Sequence, residues 1–393
     1  MSDIENFQNI DDLRDRARHV LPKGLFEFVD RGTEDDHALR ALRSAFDRIA
    51  FKTRVLVDVS QCSLTARLLG VESRMPVIVA PTGAAGLLSF DGEIAVAKAA
   101  ASAGIPFTLS TASIVSMERV AEAAGGDLWF QLYMWPERAM SYQLLDRARS
   151  AGYRALMVTV DTAVTPNREY NRRNGFSIPM RFTRRNMVDV ARHPSWFFKV
   201  FARYLLRSGV PTLENYPDQL RRSLTDSPVG ARRLPKNDSL NWDDFRELRK
   251  RWSGPLILKG VLHPEDAALA RNCGADAVIV SNHGGRNLDA SIPPIEALPA
   301  VLDRVGSSID VYVDSGFRRG ADVAKALALG AQAVMVGRAP LWGVAAAGEA
   351  GAARALTILR EELERVMCLL GCPSIAALTT DSLRVASADV GVR

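Results

Sequence analysis

Short β-branched apolar runs alternate along the chain with longer stretches rich in Ala, Glu and Lys. The apolar runs occupy residues 75–81, 106–111, 128–133, 155–161, 255–260, 277–282, 311–316 and 333–338. Buried strands that alternate with amphipathic helices are typical of βαβ units with a parallel sheet. Eight such units predict an α/β protein built on a closed (β/α)8 TIM barrel.

The same rhythm predicts how the rest of the chain is organised. We interpret residues 1–393 as a single domain, since 393 residues suffice for one large barrel. Residues 1–74 are predicted to form an N-terminal helical extension, and residues 75–350 the barrel. The long interval after the fourth strand, residues 177–240, is predicted to be an inserted loop with its own helix. Residues 351–393 are predicted to form C-terminal helices.

The positive charge of the chain is concentrated in the insertion. Apolar residues make up 47% and charged residues 24% of the sequence, and the net charge is +5. Residues 178–236 hold twelve Lys or Arg and four acidic residues, so they carry +8 and the remainder carries −3. Because the excess belongs to one segment, we expect no nucleic-acid binding by the fold. The longest apolar runs are far shorter than the roughly 20 residues of a membrane span.

Cysteines, histidines and the N-terminus bear on the compartment and on metal binding. Cys62, Cys273, Cys368 and Cys372 fit neither a disulfide framework nor a metal-ligand spacing. No two of the five histidines lie at metal-ligand spacing, so no metal site is predicted. The N-terminus is acidic and polar, unlike a secretory signal. We therefore predict a cytoplasmic protein.

Polar side chains stand at the end of every predicted strand, where barrel enzymes build their active sites. Serine and glycine are also common in ordinary turns and caps. Lys259, Asp161 and His283, however, are costly to place beside a core without partners. The strand ends therefore predict an active site, and they read Pro81, Thr82, Gly83, Ser110, Gln131, Tyr133, Thr159, Asp161, Lys259, Ser281, His283, Asp314, Ser315, Gly316, Gly337 and Arg338.

The last two strands carry the features of a phosphate site. They end in DSGFRRG and GRAP, and barrels commonly bind phosphate through these two loops. Arg318 and Arg338 add fork-shaped, permanently charged donors that match a phosphate, whereas Arg319 is interpreted as a solvated neighbour. With Lys259 across the barrel mouth, the pattern predicts a phosphorylated cofactor.

Several of these motifs, in this order, resemble one enzyme family. They are LPKGLFEF at 21–28, PTG at 81–83, WFQLY at 129–133, TVDTAV and an arginine at 159–168, KG at 259–260, SNHGGR at 281–286 and DSGFRRGADVAKALALGA at 314–331. The chain resembles, over nearly its whole length, the FMN-dependent α-hydroxy acid dehydrogenases and oxidases. That family includes glycolate oxidase, L-lactate dehydrogenase and mandelate dehydrogenase, and the (S)-mandelate dehydrogenase branch is the most similar.

The resemblance implies roles for the residues that handle substrate. His283 would be the general base facing the substrate C2, and Asp161 would hold its other ring nitrogen and stabilise the imidazolium. Arg286 and Arg168 would bind the substrate carboxylate, and Tyr133 would face the substrate. Gly284 and Gly285 would let the backbone lie close to the site. Trp129 is interpreted as core packing.

The resemblance also implies FMN as the cofactor. Lys259 would lie near N1 of the isoalloxazine, where a cation stabilises negative charge on the reduced ring. Asp314 would bind the ribityl chain, and the phosphate would lie on Gly316, Arg318, Gly337 and Arg338. The ring would be held by Pro81, Thr82, Gly83, Ser110, Gln131, Thr159 and Ser281.

Three positions bear on substrate and acceptor by analogy with the family. Where the family has a tyrosine whose hydroxyl reaches the substrate carboxylate, this chain has Phe28. Ala112 stands where members acting on very small acids have a bulky aromatic residue, so it leaves room for a ring or long side chain. Gly83 stands where many oxidases carry alanine, which is typical of dehydrogenases that react poorly with O₂.

The insertion contains a strongly amphipathic segment at residues 192–209. On a regular helix, one face would hold Trp196, Phe197, Val200, Phe201, Tyr204 and Leu205, and the adjoining stripe would hold Arg192, Lys199, Arg203 and Arg207. Such a helix is typical of the interface of an anionic membrane. The alternative is a helix packed on the barrel or on a neighbouring subunit.

Together these features predict an FMN-dependent enzyme that oxidises an L-2-hydroxy acid, mandelate-like or lactate, to the 2-keto acid. Electrons would pass to a quinone or another acceptor. The alternatives are an oxidase that uses O₂, a flavin-dependent isomerase and a weakly catalytic flavoprotein. The resemblance further implies a homotetramer, attached peripherally to the inner face of the cell membrane through residues 192–209.

Overall fold

Eight parallel strands close into a barrel in the computed structural model, which describes residues 3–176, 183–221, 223 and 238–385. Each strand pairs in parallel with the next, and the last pairs with the first. The fold class is therefore a (β/α)8 barrel, as predicted. Its strands are β1 (Val77–Val79), β2 (Phe107–Ser110), β3 (Leu128–Leu132), β4 (Ala155–Thr159), β5 (Leu256–Val261), β6 (Ala277–Val280), β7 (Asp310–Val313) and β8 (Ala333–Val336).

The barrel has two apolar layers because its strands are buried on both faces. One layer fills the interior, where Trp129 stacks on Tyr312 with ring centroids 6.3 Å apart. Trp129 thus packs in the core. The larger layer lies between the strands and the surrounding helices. Continuous apolar strands, rather than alternating ones, are the sequence signature of this double burial.

Helices cover the outside of the barrel after each strand. The connections contain Gly92–Ala103, Met117–Ala124, Arg138–Ser150, Trp242–Arg251, Pro264–Asn272, Pro294–Val305, Gly320–Ala328 and Arg338–Leu370. The last of these is interrupted at Ala347 and Gly348, whose backbone is not helical. Short 3₁₀ turns are formed by Asp3–Asn6, Ala85–Leu87, Asp218–Leu220, Ile375–Ala377 and Thr380–Ser382. Beyond Leu370 the described chain forms the last two of these turns and a strand, where the sequence predicted a short helix.

Two small antiparallel pairs lie outside the barrel. Ala66–Leu68 pairs with Val71–Ser73, and Leu68 joins the interior layer. The Leu69 N–H donates to Asp310 at the start of β7 at 3.2 Å, so this hairpin covers the N-terminal end of the barrel. Ile49–Phe51 pairs with Leu383–Val385 and fastens the C-terminal segment to the N-terminal one.

The N-terminal extension covers the opposite end, where the strands terminate. Its helices are Ile10–Val20, Lys23–Asp30 and His37–Asp47. The backbone carbonyls of Val29 and Arg31 accept hydrogen bonds from Arg338, which follows β8. The extension therefore forms part of the wall above the strand ends, and it positions residues that the barrel itself does not supply.

The first described part of the insertion is helical, and it follows the short helix Glu169–Asn174. It consists of Arg184–Ala191, Pro194–Trp196, a π-helical turn Phe197–Phe201 and Ala202–Arg207. Residues 177–182, 222 and 224–237 of the predicted loop lie outside the described residues. None of the helices that the structure describes is both long and apolar enough to cross a bilayer.

The prediction of which side of the insertion helix faces lipid is wrong in part. Trp196 is only 4% exposed, and its indole N–H donates to the Leu87 carbonyl at 2.7 Å. The Tyr204 hydroxyl accepts the Asp91 N–H at 2.8 Å, and Val200 is also buried. Those three residues pack on the barrel, because it offers an apolar surface of its own.

Leu205 of the predicted face does reach solvent and is 44% exposed, but the two most exposed apolar residues of this segment were not on that face. Phe198 is 68% exposed and Leu206 is 87% exposed. The π-helical turn adds a residue to one turn, so side chains beyond it are displaced from the positions a regular α-helix would give. A helical wheel drawn at constant pitch therefore assigned some residues of this segment to the wrong face.

Candidate active site

A single cavity of about 260 Å³ gathers most of the predicted site residues at the C-terminal ends of the strands. Gln131, Thr159, Asp161 and Ser281 lie at the same strand ends but do not line the cavity. The predicted residues that line it are Pro81, Thr82, Gly83, Ser110, Tyr133, Arg168, Lys259, His283, Arg286, Asp314, Gly316, Arg318, Gly337 and Arg338.

His283 and Asp161 form a hydrogen-bonded pair at this cavity. Nδ1 of His283 lies 2.9 Å from Oδ1 of Asp161. Burial would raise the pKa of Asp161, but the charge and hydrogen bond of His283, with the charge of Lys259, lower it below its ordinary value. The ionised carboxylate therefore fixes a proton on Nδ1 and leaves Nε2 as the free ring nitrogen.

The backbone that carries His283 is strained. His283 has a φ of 59°, in the left-handed region, and Gly284 and Gly285 follow at 67° and 69°. A Cβ at Gly285 would lie 2.8 Å from the Leu39 nitrogen, so only glycine allows this approach of the N-terminal extension. Ser281 Oγ accepts the His283 N–H at 3.0 Å. These contacts hold the imidazole in a conformation that ordinary turns avoid.

Lys259 lies buried between two acceptors. Its Nζ is 2.9 Å from Oδ2 of Asp314 and donates to Ser281 Oγ at 2.9 Å. Burial lowers the pKa of Lys259, but the charges of Asp314 and Asp161 outweigh it, and the net pKa is raised. The cavity wall therefore holds a permanent ammonium.

Arg168 and Arg286 face the cavity with Phe28 between them. Their guanidinium carbons lie 5.7 and 5.3 Å from the centre of the Phe28 ring. Burial, reinforced by the charge of Arg168, lowers the pKa of Arg286 to about 9. Nε of Arg168 is buried and has no hydrogen-bond partner among the described residues. Two half-buried guanidiniums that form no ion pair with a described residue make a site for an anion.

Tyr133 stands beside these groups. It lines the cavity, and burial, followed by the charge of Asp161, raises the pKa of its hydroxyl. The phenol is therefore protonated at every physiological pH. It can act as a hydrogen-bond donor to a bound molecule.

Basic groups cluster where β7 and β8 end. Burial lowers the pKa of Arg338 to about 10, and its guanidinium donates to the Gly284 carbonyl at 2.9 Å. Burial also lowers the pKa of Arg318, whose only charge partner among the described residues is Asp11 at 3.6 Å. With the backbone of Gly316 and Gly337 on the same wall, the cluster has the chemistry of a phosphate site.

The strand ends fit the predicted isoalloxazine ring. Nε2 of Gln131 and Oγ1 of Thr159 are buried without a hydrogen-bond partner among the described residues. Oε1 of Gln131 accepts from the Ser110 hydroxyl at 3.1 Å, so the amide nitrogen is turned away from it. Buried polar atoms left unpaired in this way are costly unless a ligand satisfies them. No cluster of metal-ligating side chains occurs in the described part of the chain.

Sequence reasoning missed residues that lie outside the strand-end motifs. Arg43 lines the cavity and donates to the Gly316 carbonyl at 2.6 Å. Ser315 was predicted as part of a strand end but was given no role, and it accepts the Gly284 N–H at 2.9 Å and donates to Asp314 at 2.6 Å. Asp289 accepts from the Asp35 and Ala38 backbone and ties the His283 loop to the N-terminal extension. An acid just after SNHGGR was the only signal for Asp289, and Arg43 had none.

Comparison with known proteins identifies relatives along the whole chain. Residues 17–385 match the model of a family described as FMN-dependent dehydrogenase. The chain is 41% identical to (S)-mandelate dehydrogenase of Pseudomonas putida, over 97% of this chain and 94% of that protein. It is 39% identical to L-lactate dehydrogenase of Pectobacterium atrosepticum, over 95% of each.

Solved structures agree with these sequence matches. A crystal structure described as the monotopic membrane protein (S)-mandelate dehydrogenase superposes with a TM-score of 0.90 at 41% identity, covering 97% of this chain and all of the other. A mandelate oxidase structure superposes with a TM-score of 0.80 at 35% identity, covering 96% of this chain and 98% of the other.

Proposed function

This chain belongs to the FMN-dependent dehydrogenase family, and from that premise we propose that it oxidises an L-2-hydroxy acid with a bulky or aromatic C2 substituent to the 2-keto acid. One observation carries the proposal. His283, which is hydrogen-bonded to Asp161, lines the same cavity as Arg168 and Arg286, and neither guanidinium forms an ion pair with a described residue. A base opposite an anion site suits a substrate with a carboxylate next to the carbon that is oxidised.

Arg168 and Arg286 bind and orient the substrate in this proposal. A carboxylate between them would supply the missing counter-charge and would satisfy Nε of Arg168. Arginine can donate two parallel hydrogen bonds to one carboxylate, which fixes direction as well as position. The protonated hydroxyl of Tyr133 adds a further donor on the same wall.

His283 takes the proton that leaves the substrate. Because Nδ1 is committed to Asp161, the proton arrives at Nε2. The carboxylate of Asp161 then stabilises the imidazolium that forms, since it stays ionised. FMN is the cofactor of the family, and when bound it accepts the two electrons that leave the hydroxy acid.

The residues that would hold FMN divide into two groups. The ring would lie on the β1 to β4 ends and on Ser281, where Gln131 and Thr159 have free polar atoms. Lys259 would supply positive charge to the ring, and Asp314, which fixes Lys259, would bind the ribityl chain. The phosphate would lie on Gly316, Arg318, Gly337 and Arg338.

Ala112 supports a bulky substrate. It lines the cavity, and a Cβ placed on Gly83 would lie only 3.2 Å from the Ala112 Cβ. These two small residues leave space that an aromatic side chain would otherwise fill. A relative acts as (S)-mandelate dehydrogenase and others as L-lactate dehydrogenases, which places both acids among the substrates to test.

Anaerobic flavin reduction tests this proposal. The purified protein is mixed without oxygen with (S)-mandelate, L-lactate or glycolate, and the bleaching of its visible flavin band is followed. We expect mandelate or another bulky acid to give a higher kcat/KM than glycolate, because glycolate leaves the space beside Ala112 empty. Glycolate as the best substrate would contradict the pocket argument, and no bleaching with any 2-hydroxy acid would contradict the reaction.

We further propose a membrane quinone as acceptor, with the enzyme attached peripherally to the inner face of the cell membrane as a homotetramer. Gly83 and the exposed Phe198 and Leu206 beside basic residues support this assignment. The monotopic (S)-mandelate dehydrogenase supports it by similarity.

An oxidase remains the second candidate because a mandelate oxidase superposes closely on this chain. The reduced enzyme is mixed either with air-saturated buffer or with a short-chain quinone. We expect the quinone to restore the flavin band much faster. Equal or faster recovery with O₂ would make this protein an oxidase.

A further inference from the structure

A second cavity, of about 490 Å³, lies between the insertion and the N-terminal extension. It is bounded by helices Arg184–Ala191 and Pro194–Trp196 on one side and Lys23–Asp30 on the other. We call it the apolar groove. Its wall is formed mainly by the side chains of Leu25, Phe176, Val190, Trp196, Phe197 and Phe201.

The apolar groove opens to the outside rather than into the barrel core. Met187 and Phe198 line it and are 58% and 68% exposed. Two large apolar side chains are exposed to water at the edge of an apolar depression. Exposed apolar patches of this kind mark interaction sites. The groove therefore presents hydrocarbon-compatible surface to whatever meets the outer side of the insertion.

A positively charged depression adjoins the groove. It shares Asn174 and Asp189 with the groove, and its basic residues are Lys23, Arg31, Arg173, Arg184, Arg185 and Arg192. We call these six residues the basic patch. Only two acidic residues, Glu27 and Asp189, line the same depression. Arg184 and Arg192 make no ion pair with any residue that the structure describes.

We propose that the apolar groove binds one acyl chain of an anionic membrane phospholipid, whose phosphate lies on the basic patch. The groove matches a hydrocarbon chain because nearly all of its wall is apolar, and the patch beside it matches a negative headgroup in charge. This inference rests on the proposed peripheral attachment to the membrane. It adds that a lipid is held in a defined site.

The groove also adjoins the active site. Phe176 on its wall packs on Phe28 with ring centroids 5.3 Å apart, and Phe28 contacts both Arg168 and Arg286. A lipid bound there would keep the mouth of the catalytic cavity beside the bilayer. A membrane-soluble acceptor would then meet the enzyme where its substrate is oxidised.

Quenching of Trp196 by brominated lipid tests the proposal. The flavin-loaded enzyme is mixed with phosphatidylglycerol vesicles whose acyl chains are either brominated or plain, and tryptophan fluorescence is compared. Bromine quenches on contact, and Trp196 lies on the groove wall. We expect brominated chains to reduce the emission, and we expect this difference to disappear in Trp196→Phe.

Variants separate the groove from the patch. Val190→Asp or Met187→Gln makes the groove polar and should abolish quenching, with Leu369→Gln as the matched exposed control.

Arg184→Gln with Arg192→Gln should weaken binding to phosphatidylglycerol vesicles roughly 25-fold, because each basic residue near an anionic surface strengthens binding about fivefold. Arg360→Gln with Arg365→Gln, on the C-terminal helix, should leave that affinity unchanged. Flavin content verifies that each variant is folded.

Each outcome decides a separate point. Vesicle binding with identical fluorescence for brominated and plain lipid would overturn the groove site while leaving peripheral attachment intact. It would mean that another part of the chain or a second copy covers the groove. Equal quenching by brominated phosphatidylcholine would contradict the proposed preference for an anionic headgroup. Anaerobic reduction by the hydroxy acid is measured separately, so failure of the proposed activity is distinguishable from failure of the lipid site.

Discussion

His283 shows how a single residue can depend on its neighbours for its chemistry. Its strained backbone is held by Ser281 and by two glycines, and its ring orientation is held by Asp161. Arg338 of the predicted phosphate site donates to the Gly284 carbonyl, but the imidazole ring itself is bonded to Asp161. Loss of the imidazole should therefore affect proton transfer far more than cofactor binding.

We predict that His283→Gln slows flavin reduction by roughly 10²–10⁴-fold, since a positioned base contributes that much. The visible flavin spectrum of the purified variant should match that of the unmodified enzyme. His19→Gln, at an exposed histidine on the first long helix, is the control and should reduce normally. A near-normal rate in His283→Gln would place the base elsewhere.

Phe28 allows a second test at residue scale. Its ring lies against both carboxylate-binding candidates, Arg168 and Arg286. Phe28→Tyr adds a hydroxyl at the position where the family has one, and a net hydrogen bond of about 1 kcal/mol would lower KM roughly fivefold. Steady-state KM for the preferred hydroxy acid measures this. An unchanged KM would show that the ring does not reach the carboxylate.

Sequence reasoning could predict which residues lie close together where they end a strand. The eight strand ends converge by the geometry of a closed barrel, so His283, Asp161 and Lys259 could be expected to meet. Arg43 could not, because it lies on an N-terminal helix whose docking is a long-range packing event. Propensity and periodicity carry no information about such docking.

At the scale of elements, the insertion helix has an inner and an outer apolar side. The inner side packs Trp196 and Tyr204 on the barrel, and the outer side exposes Phe198 and Leu206. Hydrophobic periodicity locates an apolar face, but it does not say what covers that face. The π-helical turn, which the sequence did not predict, then decides which residues face outward.

This division predicts opposite results for two double variants. Phe198→Ser with Leu206→Ser should release the enzyme from anionic vesicles and leave its thermal midpoint nearly unchanged. Trp196→Ala with Tyr204→Phe should lower the midpoint by several degrees, because it removes buried contacts and leaves the Asp91 N–H without its acceptor. Vesicle sedimentation and thermal unfolding are measured on both double variants. If the first variant lost thermal stability and the second lost vesicle binding, the inner and outer sides would be wrongly assigned.

Glu93 lies beneath the insertion helix, and its titration makes the stability of the protein depend on pH. It is buried in the first turn of Gly92–Ala103, Oε1 accepts the Ile114 N–H at 3.1 Å, and Oε2 has no partner among the described residues. Burial raises the pKa of Glu93 to about 7. The contribution of Glu93 to the free energy of unfolding is therefore fully present below about pH 4.5, and it is lost as pH rises through 7.

We predict that Glu93→Gln removes this part of the pH dependence. The raised pKa corresponds to about 3 kcal/mol between pH 4.5 and pH 8. The free energy of unfolding of the variant, minus that of the unmodified enzyme, should increase by a similar amount over this range. Denaturant unfolding at several pH values measures it, and a difference that stays constant with pH would contradict the burial argument.

At the scale of the whole molecule, charge is distributed as unevenly as polarity. Residues 178–236 carry +8 and the rest carries −3. The basic patch, which includes three arginines of that segment, lies beside the apolar groove and the exposed Phe198. The described residues thus place a cationic patch next to exposed apolar side chains, which suits the proposed attachment to an anionic surface.

This asymmetry predicts a salt-dependent attachment. The enzyme should sediment with phosphatidylglycerol vesicles at low ionic strength and be partly released at high salt, because salt screens charges within roughly 8 Å at physiological strength. Neutral vesicles should retain less of it, and what they retain should resist salt, since apolar contacts are not screened. The rate of anaerobic flavin reduction should be the same in bound and released fractions, because the catalytic residues lie at the strand ends. If the enzyme stays in the supernatant with anionic vesicles at low salt, the outer side of the insertion is instead a subunit contact. That result would also favour a soluble electron acceptor.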